Sequence, residues 1–286
     1  MEARGKGRES KTTNVKMELD LAFEPQRPYC LKRHSRSFIK AIISALRYIV
    51  FATVAISALA GPPFRTDDPE PVPYQHGEVY MFSSGTQGSG GWSGVGPAGE
   101  ANYGILPDTQ FHLVMPIAYD VSSGAGNHFG YGDTEVGVKY RFVHQTDSLP
   151  DIGIFPMVEI PTGDQNKGLG NGAAQYYLPV WIQKDFDDGK WTSYGGGGYW
   201  INPGLGNKNW WFTGALLQRN FDAFFLGAEV FHATANTVGS GSSTGFNVGG
   251  GVNLEKGFQL LWSAGSGIQN HGANRFSYYL GLYRAF

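Results

Sequence analysis

In one stretch of this chain, three charged side chains and one glycine occupy alternate positions, which is the spacing of one face of a β-strand. Glu135, Lys139 and Arg141 share that face. The opposite face is apolar and consists of Val136, Val138, Tyr140 and Phe142. Because both signs of charge are present, the available chemistry is ion pairing and the orientation of polar solutes.

Motifs that would indicate an enzyme or a metal site lack the context that those chemistries need. Residues 241–245 match G-x-S-x-G, but they lie in a Gly/Ser-rich loop and not at a strand-to-helix turn. Residues 168–173 match a dinucleotide fingerprint in part, but a strand follows them. The histidines after residue 60 include no pair at H-x-H or H-x-x-x-H spacing. We therefore expect no enzymatic activity, no cofactor and no bound metal.

Strand-like segments, each ended by turn residues, position these charged faces. We expect twelve of them, at 77–84, 97–105, 109–121, 132–145, 151–161, 173–186, 190–201, 210–220, 223–234, 243–254, 258–268 and 275–286. Their connections alternate between short turns, such as 187–189, and longer Gly/Asn/Ser-rich loops, such as 85–96, 122–131 and 162–172. This alternation is typical of up-and-down membrane barrels.

Composition favours the same architecture. The chain has 42 glycines among 286 residues, about twice the usual ~7 %, and 14 % aromatic residues. No apolar run after residue 60 approaches the about 18 residues of a transmembrane helix. Because lipid offers no hydrogen-bond partner, the last strand must pair with the first. The expected fold class is all-β, a transmembrane antiparallel up-and-down β-barrel of about 12 strands.

The membrane then decides where the charged faces point. An Arg or Lys that faces lipid at mid-depth costs about 2–4 kcal/mol, so we expect these faces to point into the lumen. The predicted pore-lining residues are Glu100, Glu135, Lys139, Arg141, Glu159, Tyr177, Trp181, Asp185, Arg219 and Glu229. Lys139 and Arg141, with Glu135 and Glu159 nearby, are expected to contact the solute. The alternative is that the wall charges only solvate the lumen.

Residues 1–60 differ from the rest in charge, with eleven Lys/Arg and five Asp/Glu against eleven and nineteen in residues 61–286. A basic stretch precedes an apolar run, 48–60, that ends in Ala-Leu-Ala, the order of a secretory signal. We expect residues 1–60 to be an N-terminal extension and signal peptide that is removed. Residues 61–76 are expected to be a Pro-rich periplasmic lead-in, and residues 77–286 the barrel.

The C-terminal strand ends on an aromatic residue, Phe286, and shares a face with Phe276, Tyr278, Leu280 and Leu282. Such a strand behind an export signal indicates the bacterial outer membrane. The expected partners are outer-membrane lipid, a small-molecule solute and the barrel-assembly machinery, which would recognise this strand. Residues 61–286 are acidic without a basic stripe, so no nucleic acid is expected.

Two segments resemble a known family. Residues 132–142 and 160–172 are similar to hallmark stretches of the family labelled "MetA-pathway of phenol degradation", and residues 62–71 and 196–203 are similar to it as well. The resemblance implies an outer-membrane barrel transporter, linked by name to the uptake of phenol-like compounds. Its motifs are structural and not catalytic.

The sequence therefore predicts a monomeric outer-membrane channel for passive uptake of small solutes, with aromatic or hydrophobic compounds as the implied class. Two alternatives remain open. One is a closed structural or adhesive barrel without a pore. The other is a barrel enzyme that acts on lipid, in which His112 or His232 would meet a serine on a neighbouring strand.

Overall fold

The computed structural model describes residues 62–122 and 126–286 of the chain. Within them the strands are β1 Gly77–Gly88, β2 Gly91–Leu106, β3 Thr109–Ser122, β4 Gly126–Tyr131, β5 Thr134–Val143, β6 Asp151–Ile154, β7 Met157–Ile160, β8 Gln175–Phe186, β9 Trp191–Ile201, β10 Trp210–Asn220, β11 Phe224–Ala233, β12 Ser243–Asn253, β13 Phe258–Gln269 and β14 Phe276–Ala285. No helix in the described ranges is long and apolar enough to cross a membrane. The predicted extension and signal peptide, residues 1–60, lies outside these ranges.

These segments form twelve strands of one closed antiparallel sheet. β4 and β5 both pair with β3, so together they are one interrupted strand. β6 and β7 likewise lie between β5 and β8 and are interrupted where Pro156 has no N–H to donate. β1 pairs with β14 from Glu78 opposite Ala285 to Gln87 opposite Phe276, which closes the ring. The predicted all-β, 12-strand barrel is confirmed.

Two of the predicted long loops contain strand. β1 extends to Gly88 and β2 begins at Gly91, so most of 85–96 is a β-hairpin, and β4 lies within 122–131. The glycines that suggested a loop instead make room for a side chain. A Cβ atom at Gly85 or Gly94 would collide with the hydroxyl of Tyr119, which lies across both strands.

The distribution of side chains is the reverse of that in a soluble protein. Large apolar side chains on the outer faces of the strands are exposed, for example Met81 at 59 % and Leu178 at 54 %. Polar side chains on the inner faces are buried, for example Gln183 at 1 %, Gln218 at 1 % and Glu229 at 2 % exposure. An apolar outer band around a polar interior is the arrangement that a lipid bilayer stabilises.

The Pro-rich segment at residues 62–73, called the lead here, lies inside the barrel. Its Thr66 and Asp68 are fully buried, at 0 % exposure. Its contacts are with inward-facing side chains on distant strands, Glu229 of β11 and Lys139 of β5. The expectation of a periplasmic lead-in is therefore wrong for these residues. The inner faces supply hydrogen-bond partners that a proline-rich chain cannot supply to itself.

Candidate functional site

Glu229 on β11 holds the first part of the lead. Its Oε1 accepts hydrogen bonds from the N–H of Arg65 at 2.9 Å and from Nδ2 of Asn247 at 2.6 Å. Its Oε2 accepts from the N–H and the hydroxyl of Thr66, at 2.8 and 2.7 Å. Several charge-assisted hydrogen bonds of this kind stabilise a buried carboxylate.

Glycines on two neighbouring strands make space for this part of the lead. A Cβ atom at Gly214 of β10 would overlap the hydroxyl of Thr66. A Cβ atom at Gly227 of β11 would lie 2.9 Å from the ring of Phe64. The inner wall is therefore shaped to accept the lead as well as bonded to it.

Lys139 on β5 holds the lead at a second point. Its Nζ lies 2.9 Å from Oδ1 of Asp67 and 3.3 Å from Oδ2 of Asp68, and it is positioned 5.0 Å from the ring centroid of Phe155. Lys139 is buried, so both ion pairs are shielded from water. Breaking such a pair leaves an uncompensated buried charge, which is strongly destabilising.

Arg141, two residues further along β5, lies in a carboxylate cluster at the short-turn end. Its guanidinium is 3.1 Å from Asp108, 3.4 Å from Asp151 and 3.9 Å from Glu70 of the lead. Burial raises the pKa of Glu70 above its ordinary value, although Arg141 opposes this shift. Lys139 and Arg141, which were predicted to contact solute, therefore form ion pairs with carboxylates of the lead, of the turn residue Asp108 and of Asp151.

A second polar network runs along the wall from β1 to β5 and is centred on His112. One ring nitrogen of His112 lies 2.6 Å from Oδ1 of Asn102, and the other lies 2.8 Å from Oε1 of Glu135. Asn102 donates from Nδ2 to both Glu78 and Glu100, at 2.9 Å each. The sequence analysis did not select Glu78 or Asn102, and it considered His112 only for lipid chemistry, although the parity of all three positions places them on inward faces.

The remaining predicted acids also lie on inner faces. Glu159 of β7 accepts a 2.6 Å hydrogen bond from Gln175. Asp185 of β8 accepts one of 2.6 Å from the hydroxyl of Thr192. Neither side chain contacts the lead, so they belong to the wall itself.

Aromatic rings cover the inner wall from β8 to β10. Tyr177, Trp200 and Trp210 are directly opposite one another in register and stack, with ring centroids 4.6 and 5.3 Å apart and planes within 12° and 4°. Trp181, only 1 % exposed, meets Phe212 edge-on at 6.5 Å. Tyr177 and Trp181 thus lie on the inner face, as predicted from their parity.

The prediction that Arg219 lines the lumen is wrong. The structure places it on the outer face of β10, on the same parity as the exposed Leu217, and not in the lumen. Its guanidinium lies 5.0 Å from the ring centroid of Trp191 and 5.5 Å from that of Phe221. Near a strand end, a long side chain can keep its charge at the membrane–water interface, so the cost of facing lipid at mid-depth does not apply.

The loop between β7 and β8 folds inward over the long-loop end of the barrel. Leu169 is 5 % exposed and packs beside Gly130 of β4. The carboxylate of Asp133 accepts hydrogen bonds from the N–H groups of Gly163, at 2.9 Å, and Asn171, at 2.6 Å. This loop narrows the mouth opposite to the end at which the lead enters.

The two histidines considered for lipid chemistry have other partners. His112 is bonded to Asn102 and Glu135 and to no hydroxyl. His232 lies 2.8 Å from the hydroxyl of Thr244, which itself donates to Gln269. In a nucleophile–base pair, a third group orients the imidazole of the base. Here Gln269 instead accepts a hydrogen bond from the hydroxyl of Thr244, and so it does not orient His232.

Sequence comparisons identify no relative of this chain, since no family model and no curated protein matches it. The chain does share its fold with solved structures. The COG4313 outer membrane channel from Pseudomonas putida F1 matches with a TM-score of 0.64 and 18 % identity, over 77 % of this chain and 98 % of that chain. The translocator domain of the autotransporter NalP from Neisseria meningitidis has a TM-score of 0.47 and 11 % identity, over 88 % and 98 %.

The second of these likenesses is too weak to carry an argument, and the first, at 18 % identity, is a likeness of fold alone. The similarity to the phenol-degradation family stays a resemblance. The structural comparison and the burial pattern together identify the fold as that of an outer-membrane β-barrel.

Proposed function

We propose that this protein is an outer-membrane channel through which small solutes diffuse passively, with a lumen narrowed by its own lead. The observation that carries the proposal is the closed barrel whose outer surface is apolar and whose enclosed interior is polar. A polar interior shielded from lipid by a β-barrel is a route for solutes that lipid excludes. The neighbouring fold, an outer membrane channel, supports the same role.

Aromatic or hydrophobic compounds are the solute class that the inner wall suits best. The rings of Tyr177, Trp200 and Trp210 stack on one another along β8 to β10, and Tyr177 and Trp200 are only 4 % and 9 % exposed while the lead is docked, so an aromatic solute would meet them once the lead has left. Planar rings stack favourably on such surfaces at centroid distances of about 4.5–7 Å. Trp181 extends this surface towards the middle of the barrel.

Two elements stand in the route, and the lead is the larger obstacle. It crosses the lumen between Glu229 and Lys139, whereas the infolded loop covers only one mouth. We propose that opening requires the lead to leave these two anchors.

Solute flux into liposomes tests the proposal. The refolded chain and its Glu229→Ala variant would be compared with small sugars, organic acids and phenol, after heat-dependent gel mobility has shown that both are folded. We expect flux in both and faster flux in the variant, with phenol favoured over sugars of similar size. Absence of flux from both folded proteins would overturn the channel.

A closed structural barrel is the second candidate, and the lead is the observation that favours it. Thr66 and Asp68 are completely buried between opposite walls. If the lead never moves, the wild-type chain and the Glu229→Ala variant are both impermeable. The flux measurement therefore separates the two candidates.

A further inference from the structure

A small pocket of about 70 Å³ opens at the long-loop end of the lumen, between the lead and the strands. The side chains that line it include Arg65, Thr86, Phe231, Ser243, Thr244 and Asn274. Its volume exceeds the roughly 30 Å³ share of one water molecule, so a small organic group fits. The pocket borders the docked lead, so an inference about its ligand rests on the proposed opening of the channel.

Arg65 is the charged residue of this lining, and its partial compensation comes from Glu229, which lies beyond ion-pair distance but acts on its charge. Its guanidinium lies 4.8 Å from the ring centroid of Phe231 and 3.5 Å from the hydroxyl of Thr86, and no carboxylate of residues 62–122 or 126–286 forms an ion pair with it. The side chain is exposed although it lies inside the ring of strands. A guanidinium that lines a pocket and has no carboxylate at ion-pair distance can receive an anion.

The carboxylate of Glu229 already accepts hydrogen bonds from donors other than the guanidinium of Arg65. Its two oxygens accept hydrogen bonds from the main chain of Arg65 and Thr66, the hydroxyl of Thr66 and the amide of Asn247. These bonds engage the N–H of Arg65 and leave its side chain free. Apart from the long contact of one Nη with Thr86, the N–H donors of the guanidinium therefore remain available for a ligand.

The other polar groups of the pocket are neutral donors. The hydroxyl of Ser243 has no hydrogen-bond partner among the described residues, and that of Thr86 accepts from Arg65 and keeps its own proton. One fixed cation with two hydroxyl donors suits a planar monoanion, because a guanidinium binds a carboxylate through two parallel hydrogen bonds. A doubly charged tetrahedral anion would need more cations than the pocket offers.

We propose that this pocket binds a small carboxylate anion, held by Arg65 with help from Ser243 and Thr86. The bound carboxylate would link the lead to β1 and β12, because Arg65 belongs to the lead and the two hydroxyls belong to those strands. Binding would therefore hold the lead in its docked position.

Isothermal titration of the refolded chain in detergent, at constant ionic strength, tests this. The probes are acetate, inorganic phosphate and methylammonium. We expect saturable binding of acetate, weaker binding of phosphate and none of methylammonium. Preference for phosphate or for the cation, or no saturable binding of acetate, would overturn the proposal.

Variants locate the site. Because hydrogen bonds to a charged group are the strong ones, Arg65→Gln should weaken acetate binding at least about tenfold and Ser243→Ala about threefold. Arg284→Gln removes an arginine at the opposite end of the barrel and should change nothing. The main-chain bonds of Arg65 to Glu229 do not involve its side chain, so the lead should stay docked in Arg65→Gln. Equal acetate binding by Arg65→Gln and the wild-type chain would contradict the assignment. If Arg65→Gln does not fold, Ser243→Ala repeats the test, because Ser243 lies outside the lead.

Discussion

Thr66 and Glu229 form a double hydrogen bond across 163 positions of the chain, with the N–H and the hydroxyl of Thr66 both donating to Oε2 of Glu229. The pair joins a proline-rich segment to the far wall of the barrel. Whether the lead blocks the lumen therefore depends on a small number of hydrogen bonds and ion pairs. Each of them can be removed by a single substitution.

Replacing Glu229 by Gln should release the lead. The amide keeps the size of the side chain, but its NH₂ group cannot accept hydrogen bonds from Arg65 or Thr66, and it leaves buried donors without partners. Each such loss costs roughly 1–3 kcal/mol. We expect higher single-channel conductance and faster proteolysis of the lead. Glu255→Gln, an exposed carboxylate on a turn, is the matched control and should leave both unchanged.

Gly214→Val should displace the lead without any change of charge. The added side chain would occupy the position of the Thr66 hydroxyl. Gly99→Val on β2 is the control, because a Cβ atom there meets no atom within 4 Å. The measurement is protease cleavage within residues 62–73 of the folded barrel, which we expect to accelerate only for Gly214→Val. Equal cleavage of the two variants would show that space at Gly214 does not hold the lead.

Reversing the two cations of β5 should change both docking and selectivity. In Lys139→Glu combined with Arg141→Glu, the new carboxylates face Asp67, Asp68 and Glu70 of the lead. Like charges in a buried site repel, so we expect the lead to leave and the open lumen to favour cations. The reversal potential in a salt gradient measures this. An unchanged value would show that these residues do not border the ion path.

The barrel itself could be predicted from the sequence because its causes are local. The alternation in residues 134–143 and the spacing of turns appear in any short window, and the apolar face of β14 marks the closing strand. The same parity placed nine of the ten selected residues on inner faces. The tenth, Arg219, shares its parity with the exposed Leu217, and its inward assignment rested on its charge, which near a strand end can reach the interface from the outer face.

The position of the lead could not be predicted, because its causes are distant in the chain. A proline-rich segment has the same local pattern whether water or an inner wall surrounds it. Its receiving space comes from Gly214 of β10 and Gly227 of β11, which lie far from the lead in the chain and pair with Phe231 and Gln218. Its anchors, Lys139 and Glu229, were identified as inward charges, but the partner that they share was not.

The docked lead should be favoured by acid through Glu70. Burial raises the pKa of this carboxyl, Asp151 and Asp185 raise it further, and Arg141 and Gln183 oppose the shift. A group with a raised pKa binds its proton more readily in the docked state, so docking gains stability as the pH falls through the raised value. Above that value the charged, buried Glu70 disfavours docking. The open probability of single channels should therefore fall as the pH is lowered through the raised pKa of Glu70. Glu70→Gln should remove this part of the pH dependence, and a wild-type open probability that rises on acidification would contradict the assignment.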